Sequence, residues 1–384
     1  MVDHVTKERE LDKILLLLRM PICYNSLVME NTNRCNARCR MCYQSAGEGK
    51  ECGRVDLEVA ERCIREAAEI ETVGSRFHLA GGETFLYPDE CYTLFQVAYD
   101  AGFASITATT NGFWGSDLTS AREKCARMRD SGVTGIELSW DHWHGEFIPA
   151  RAIDNCLLAC RENDIDVNLR LLSTKRHKMD ESLSLLDSES LRLAQTISCG
   201  PVIASGRAME ALDRDDIYMS ERGARGSCFT ALNLTVNSFG EVFPCCSGFE
   251  TCRSCAFGNI YDTPISEIVS KMNSDPMLRQ LVFMGAESFL PMLHDGGCEI
   301  REGDYRTACE MCSAIFSDED RLLVVREEFC RRRASALGKA LEELEKKYGA
   351  RWYVGQKDGA DQQIPHHHHV PRDGQYTRRF LHAL

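Results

Sequence analysis

The stretch SLVMENTNRCNARCRMCY, Ser26 to Tyr43, decides the fold class of this chain. Ser26–Asn31 is a short, mostly apolar run and reads as a β-strand. Directly after it come Cys35, Cys39 and Cys42, separated by three and two residues. Thiolates at these spacings wrap one loop around a cuboidal iron–sulfur cluster. A [4Fe–4S] cluster takes four ligands, so three cysteines leave one iron open to bind and reduce a small molecule. The same residues also suit a zinc site short of one ligand, or three independent buried thiols.

The rest of the composition bears on that choice. The chain has 384 residues, 20 of them cysteine, and a formal charge of -13. An acidic balance excludes nonspecific nucleic-acid binding, which needs basic surface to displace counterions. Met1 to Arg19 is charged, with Ile14–Leu18 as its longest apolar run, unlike a secretion signal. No segment approaches the roughly 20 apolar residues of a membrane span. A cytoplasmic location is therefore expected, with no membrane association and thiols kept reduced, which favours metal ligation over disulfides.

Outward from the loop, strands and helices alternate. Arg76–Ala80, Ser105–Thr110, Gly135–Trp140, Asp166–Leu172 and Thr196–Ala204 read as strands after the first. Leu57–Ile70, Asp89–Ala101, Ala121–Ser131 and Ala150–Glu162 read as helices between them. Such alternation predicts an α/β fold with a parallel sheet. Six strands suit an open sheet or incomplete TIM-like barrel better than a closed eight-stranded one. After about residue 208 the alternation stops, and Gly, Pro and Cys crowd between Cys228 and Cys312, as in a second module rather than a simple continuation of the sheet. Glu319–Tyr348 is a charged helix with apolar positions at Leu322, Val325 and Phe329. The expected organisation is an arm over 1–25, a partial (β/α)6 barrel over 26–208, a Cys-rich module over 209–318, a C-terminal helix over 319–348 and a flexible tail over 349–384 that carries His366–His369.

The C-x3-C-x2-C loop, its following aromatic residue and its place after the first strand resemble the radical SAM superfamily. That resemblance implies a partial (β/α)6 barrel and an open iron that binds S-adenosylmethionine. Reductive cleavage then yields a 5′-deoxyadenosyl radical, which abstracts a substrate hydrogen. Gly81-Gly82-Glu83 resembles the family's GGE motif, whose glycines let backbone approach the cofactor and whose acidic end lies near the methionine ammonium. Thr109-Thr110-Asn111-Gly112 and Ser139-Trp140-Asp141 resemble the TNG and S-x-D segments that face the ribose and methionine. The cofactor-binding set implied is Gly81, Gly82, Glu83, Thr109, Asn111, Ser139, Asp141, Arg170 and Ile203. Arg170 either pairs with the methionine carboxylate or forms a structural salt bridge; Ile203 begins the IASGRA segment in the adenine-binding place. His142 and His144 beside Asp141 carry no expected role as a base.

Cys228, Gly240 and Cys245 stand in a C-x11-G-x4-C pattern. It resembles the SPASM or twitch extension of radical SAM enzymes, in which Cys309-x-x-Cys312 supplies the remaining pair. The implied ligands of one auxiliary [4Fe–4S] cluster are Cys228, Cys245, Cys309 and Cys312, with a four-cysteine zinc ribbon as the competing reading. The full SPASM pattern is not completed after Cys312. Cys246, Cys252, Cys255, Cys298 and Cys330 therefore stand open as ligands of a second auxiliary cluster, as free thiols, or as a thiol delivering hydrogen to a substrate radical. Cys23, Cys52, Cys63, Cys91, Cys125, Cys156, Cys160 and Cys199 are expected to be packing residues.

The extension type points to modification of a ribosomally made peptide, by cross-linking, epimerisation or oxidation. The alternatives are a dehydrogenase acting on a sugar or aminocyclitol alcohol, and a non-catalytic zinc scaffold. Expected partners are the peptide or small-molecule substrate, a flavodoxin- or ferredoxin-like electron donor, and a separate protein that binds the leader peptide. Arg331-Arg332-Arg333 is a candidate basic patch for the donor, against its reading as a solvated helix face.

Overall fold

The computed structural model describes residues 20–47, 52–220, 223–228, 231–246 and 255–348. Most of the expected N-terminal arm, the tail with His366–His369, and Cys252 lie outside the described residues. Two compact units are distinguished, Met1–Cys330 and Arg331–Leu384; all sheet strands belong to the first.

Six strands, β1 (Leu27–Thr32), β2 (Arg76–Gly81), β3 (Ser105–Thr110), β4 (Gly135–Ser139), β5 (Asp166–Ser173) and β6 (Thr196–Pro201), lie side by side in chain order, every neighbouring pair parallel. Helices α1 (Leu57–Ala68), α2 (Pro88–Asp100), α3 (Leu118–Asp130) and α4 (Ala150–Glu162) fill the connections. Their starts are written locally. The Asp56 side chain accepts from the Glu58 and Val59 amides, Asp117 accepts from the Ser120 amide, and Pro88 opens α2. Side-chain caps of this kind contribute about 1 kcal/mol each.

Alternation along the strands separates two faces. Phe77, Leu79, Ile106, Ala108, Ile136, Leu138, Val167, Leu169 and Leu171 are buried in the main core. Against them pack helix residues that include Cys63, Cys91, Cys125, Cys156 and Cys160, all buried, as expected of packing thiols. Cys23, Cys52 and Cys199 differ: they are exposed, and the Cys52 sulfur accepts from the Arg34 guanidinium at 3.0 Å. The alternate positions, His78, Thr107, Thr109, Glu137, Ser139, Asn168, Arg170 and Ser198, make a polar inner face.

One expectation is corrected. The Cys-rich module does continue the sheet: β7 (Leu234–Val236) runs parallel to β1 on its free side, and β8 (Val242–Phe243) returns antiparallel, giving the order β6-β5-β4-β3-β2-β1-β7-β8. The cysteine density concealed two very short strands, whose five residues are too few to show a period. Gly240 turns this hairpin at φ +80°, and a Cβ there would press on the Tyr261 ring at 2.7 Å. Before it in the chain come α5 (Met179–Leu183), α6 (Ser188–Leu191) and α7 (Arg207–Ala211) of the barrel. The module adds α8 (Ile265–Ser274), α9 (Pro276–Met284), α10 (Leu290–Asp295) and α11 (Ala308–Phe316), followed by α12 (Glu319–Tyr348). No helix among the described residues is long and apolar enough to cross a membrane.

Candidate active site

A cavity of about 440 Å3 opens at the C-terminal ends of the parallel strands, where ligands gather in such sheets. Cys35, Cys39 and Cys42 line it, together with Gly81, Gly82, Thr109, Asn111, Ser139, Asp141, Arg170 and Ile203. Of the expected cofactor set only Glu83 is absent from its wall.

Burial first, and then neighbouring charges, including those of the same loop, push the Cys35 thiol up to about 11 and the Cys39 thiol higher still. Their loop rests on a small apolar cluster in which Ala37, Cys39 and Met41 pack with Trp143, Val202, Ala204, Ala208 and Ile217. The two glycines after β2 serve this loop as much as any ligand. A Cβ on Gly81 would fall 2.3 Å from the Thr32 carbonyl oxygen, and one on Gly82 would fall 2.1 Å from that of Arg34. Backbone hydrogen bonds of 2.7 Å, from Gly82 to Thr32 and from Glu83 to Arg34, complete the seam.

Glu83 is buried behind the wall. Its carboxylate accepts from the Thr110 hydroxyl at 2.8 Å, the Asn111 amide at 2.8 Å and the Phe85 amide at 3.1 Å. Burial raises its pKa to about 7 against the lowering effect of those bonds. The motif's acid thus braces the Thr109–Gly112 segment, and Asn111 in turn donates to Asn36 of the cysteine loop at 2.8 Å. Asp141 is similarly committed: it accepts from the Trp143, His144 and Leu172 amides, with His144 Nδ1 2.9 Å from Oδ1. His144 lines the cavity, whereas His142 stacks on His177 at 3.7 Å.

Arg170 has no carboxylate within ion-pair distance among the described residues. The structural salt bridge therefore loses its basis, and a cation faces the cavity.

Several lining residues escaped the reading of the sequence, namely His78, Glu137 and Gln44, while Tyr43 and Arg207 were read only as members of the cysteine-loop and IASGRA segments. Strand parity was the available signal for two of them, since Glu137 shares a face with Ser139 and His78 with Ala80. The His78 ring lies between the Thr107 and Thr109 hydroxyls, each 2.8 Å from a ring nitrogen. Burial first, then Arg76, lowers its pKa from 6.5 to about 4. The native state therefore favours neutral imidazole, and this contribution is full above pH 6.5 and lost as pH falls through 4. Acidification across that window should cost the fold about 3 kcal/mol at this residue. His78→Gln should flatten the corresponding part of a stability–pH profile measured by chemical denaturation; an unchanged slope would contradict this account.

In the C-terminal module Cys228 precedes β7, Cys245 follows β8, and Cys309 and Cys312 share α11, whose Thr307 cap accepts from the Glu310 amide. Burial raises Cys228 to about 11 with Cys309 adding to the effect. Cys312 rises further, with Cys245, Cys228 and Cys309 all contributing. The four expected thiols therefore lie within electrostatic reach of one another, although no close-set group of three or more metal-ligating side chains occurs among the described residues. Of the others, Cys255 is buried and donates to the Phe316 carbonyl, Cys298 packs against the core and Cys330 is exposed on α12. Cys246 lines the same cavity as Cys35, Cys39 and Cys42.

Three soft donors on one loop lining a cavity of strand ends, beside an unpaired cation, suit by their chemistry an iron–sulfur group with a bound zwitterionic cofactor. The comparisons agree. The radical SAM superfamily profile matches residues 29–176 and that of the SPASM iron–sulfur cluster-binding domain matches 228–313. The chain is 27% identical over 312 residues to the putative peptide biosynthesis protein YydG of Bacillus subtilis (strain 168), covering 78% of this chain and 94% of that one. Its fold is similar to that of Streptococcus suis SuiB bound to the precursor peptide SuiA, with a TM-score of 0.52 and 14% identity over 74% of this chain and 72% of SuiB. The chain belongs to the radical SAM superfamily and carries a C-terminal SPASM domain. Membership implies [4Fe–4S] clusters and S-adenosylmethionine.

Proposed function

We propose that this enzyme epimerises a residue of a ribosomally made peptide, with Cys246 as the hydrogen donor. The observation that carries the reading is Cys246 on the wall of the cavity that holds Cys35, Cys39 and Cys42. The peptide class is supported by the likeness to YydG along nearly all of that protein's length.

Cys35, Cys39 and Cys42 would hold the cluster, with the Gly81-Gly82 seam, Ser139 and Arg170 around the S-adenosylmethionine. Bound there, the cofactor supplies a 5′-deoxyadenosyl radical that leaves with one substrate hydrogen. Cys246 Sγ–H returns one hydrogen to the carbon, so the peptide keeps its formula and changes only its handedness. The sulfur, one hydrogen short, is restored by one electron from a flavodoxin- or ferredoxin-like donor and one proton from solvent. Cys228, Cys245, Cys309 and Cys312 would hold an auxiliary cluster, which would give the module a one-electron redox centre.

The test is a reaction in D2O with the short peptides encoded beside this gene. Wild-type product should gain one mass unit and contain a D-amino acid. Cys246→Ala should still form 5′-deoxyadenosine but give no inverted residue. A product two mass units lighter would instead establish oxidation or cross-linking, and an inverted, deuterated product from Cys246→Ala would overturn the role of Cys246.

A further inference from the structure

Arg207 stands in the segment that follows β6, more than 160 residues from the cysteine loop, yet it ties that loop down at three points. Its guanidinium donates to the Cys39 carbonyl at 2.9 Å and to the Ala46 carbonyl, and its backbone amide donates to the Cys42 carbonyl at 3.0 Å. The neighbouring Gly206 makes the approach feasible. It sits at φ +56°, and a Cβ there would fall 1.9 Å from the Tyr43 carbonyl oxygen, so an L side chain at this position is excluded by both backbone and space. Arg207 has no carboxylate within ion-pair distance among the described residues and lines the cavity with Cys35, Cys39 and Cys42.

We infer that Gly206-Arg207 is a clamp on the Cys35–Gly47 loop, and that the Arg207 guanidinium raises the reduction potential of the iron–sulfur group the loop holds. Two physical effects follow from one residue. Paired loop carbonyls fix three thiols before metal arrives, which lowers the ordering cost of cluster assembly. A fixed, half-buried positive charge favours the state with one more electron, because reduction adds negative charge beside it. Arg207 is thus a positioning residue for the radical chemistry, whatever the substrate.

Each effect has its own measurement. In the metal-free chain, amide hydrogen exchange over the loop should speed up at least tenfold in Arg207→Ala, with exchange in α3 and α4 unchanged. In the cluster-loaded chain, a redox titration followed by electron paramagnetic resonance should show a more negative midpoint for the cluster at Cys35, Cys39 and Cys42. The expected change is about tenfold in the reduction equilibrium, or about 59 mV for one electron. Arg207→Lys, which keeps charge but not the two-carbonyl fork, should restore most of the midpoint and little of the loop protection. Should Arg207→Ala fail to fold, Arg207→Met provides the neutral side chain of similar length. Unchanged loop exchange in the neutral variant would overturn the clamp. A midpoint shift smaller than twofold in the equilibrium would overturn the electrostatic part.

Discussion

Cys39→Ala should abolish formation of 5′-deoxyadenosine while leaving the chain folded and its auxiliary iron in place. Cys39 is the buried member of the three-cysteine loop and packs beside Ala37, Met41 and Trp143. Alanine fits that small apolar niche, so the penalty on folding falls within the few kcal/mol of a large-to-small core change. The loss is chemical: two thiolates remain where three are needed, and the open-iron cluster has no third anchor. Iron and sulfide per chain should fall by one cluster's worth, with cleavage of S-adenosylmethionine at background. Retained cleavage would overturn the assignment of the loop. Cys312→Ala supplies the contrast, since it removes a ligand of the second group of thiols and should leave the first cluster's iron bound.

Arg170→Ala should weaken S-adenosylmethionine binding by about 10- to 100-fold. The argument begins with strand parity, because Arg170 lies on the inner face of β5, opposite Ser139 of β4. A guanidinium without a protein carboxylate retains its charge for a ligand carboxylate, and a charge-assisted hydrogen bond contributes about 1.5–3 kcal/mol. Because no native ion pair is broken, the stability of the ligand-free chain should change by no more than about 0.5 kcal/mol. Arg170→Lys should recover part of the affinity, lacking the planar fork that meets a carboxylate at two points. Titration calorimetry distinguishes the two cases: unchanged affinity with lost stability would make Arg170 a structural residue after all.

The two motifs differ in how far their residues could be read without coordinates. The C-x3-C-x2-C loop was legible because its cysteines lie within eight residues, and such close spacing leaves all three on the wall of one cavity. Gly81, Gly82, Thr109, Asn111, Ser139 and Asp141 were legible because each stands at or just past the C-terminal end of a strand, and strand ends in a parallel sheet share one rim. Glu83 shows the limit. Sequence places it beside the glycines, but past the turn at Gly81, with φ +140°, its carboxylate lies behind the wall, on Thr110 and Asn111. Arg170 shows another, since its two readings differ only in whether a carboxylate stands nearby. The hairpin of β7 and β8 was missed because five strand residues carry too little pattern.

What the sequence by itself determined is whatever local spacing encodes: the cluster loop, the alternation of six strands with helices, the helix caps and the pairing of Cys309 with Cys312 on one helix turn. The tertiary structure alone decided which distant groups share a cavity. Arg207 bonds the loop at Cys35 to Cys42 across more than 160 residues, Cys246 lines the same cavity from further still, and His78 and Glu137 enter the interior by register. The physical reason is that periodicity and capping are short-range, whereas the meeting of remote segments depends on how the β7 strand docks beside β1 and how Gly206 admits one backbone against another.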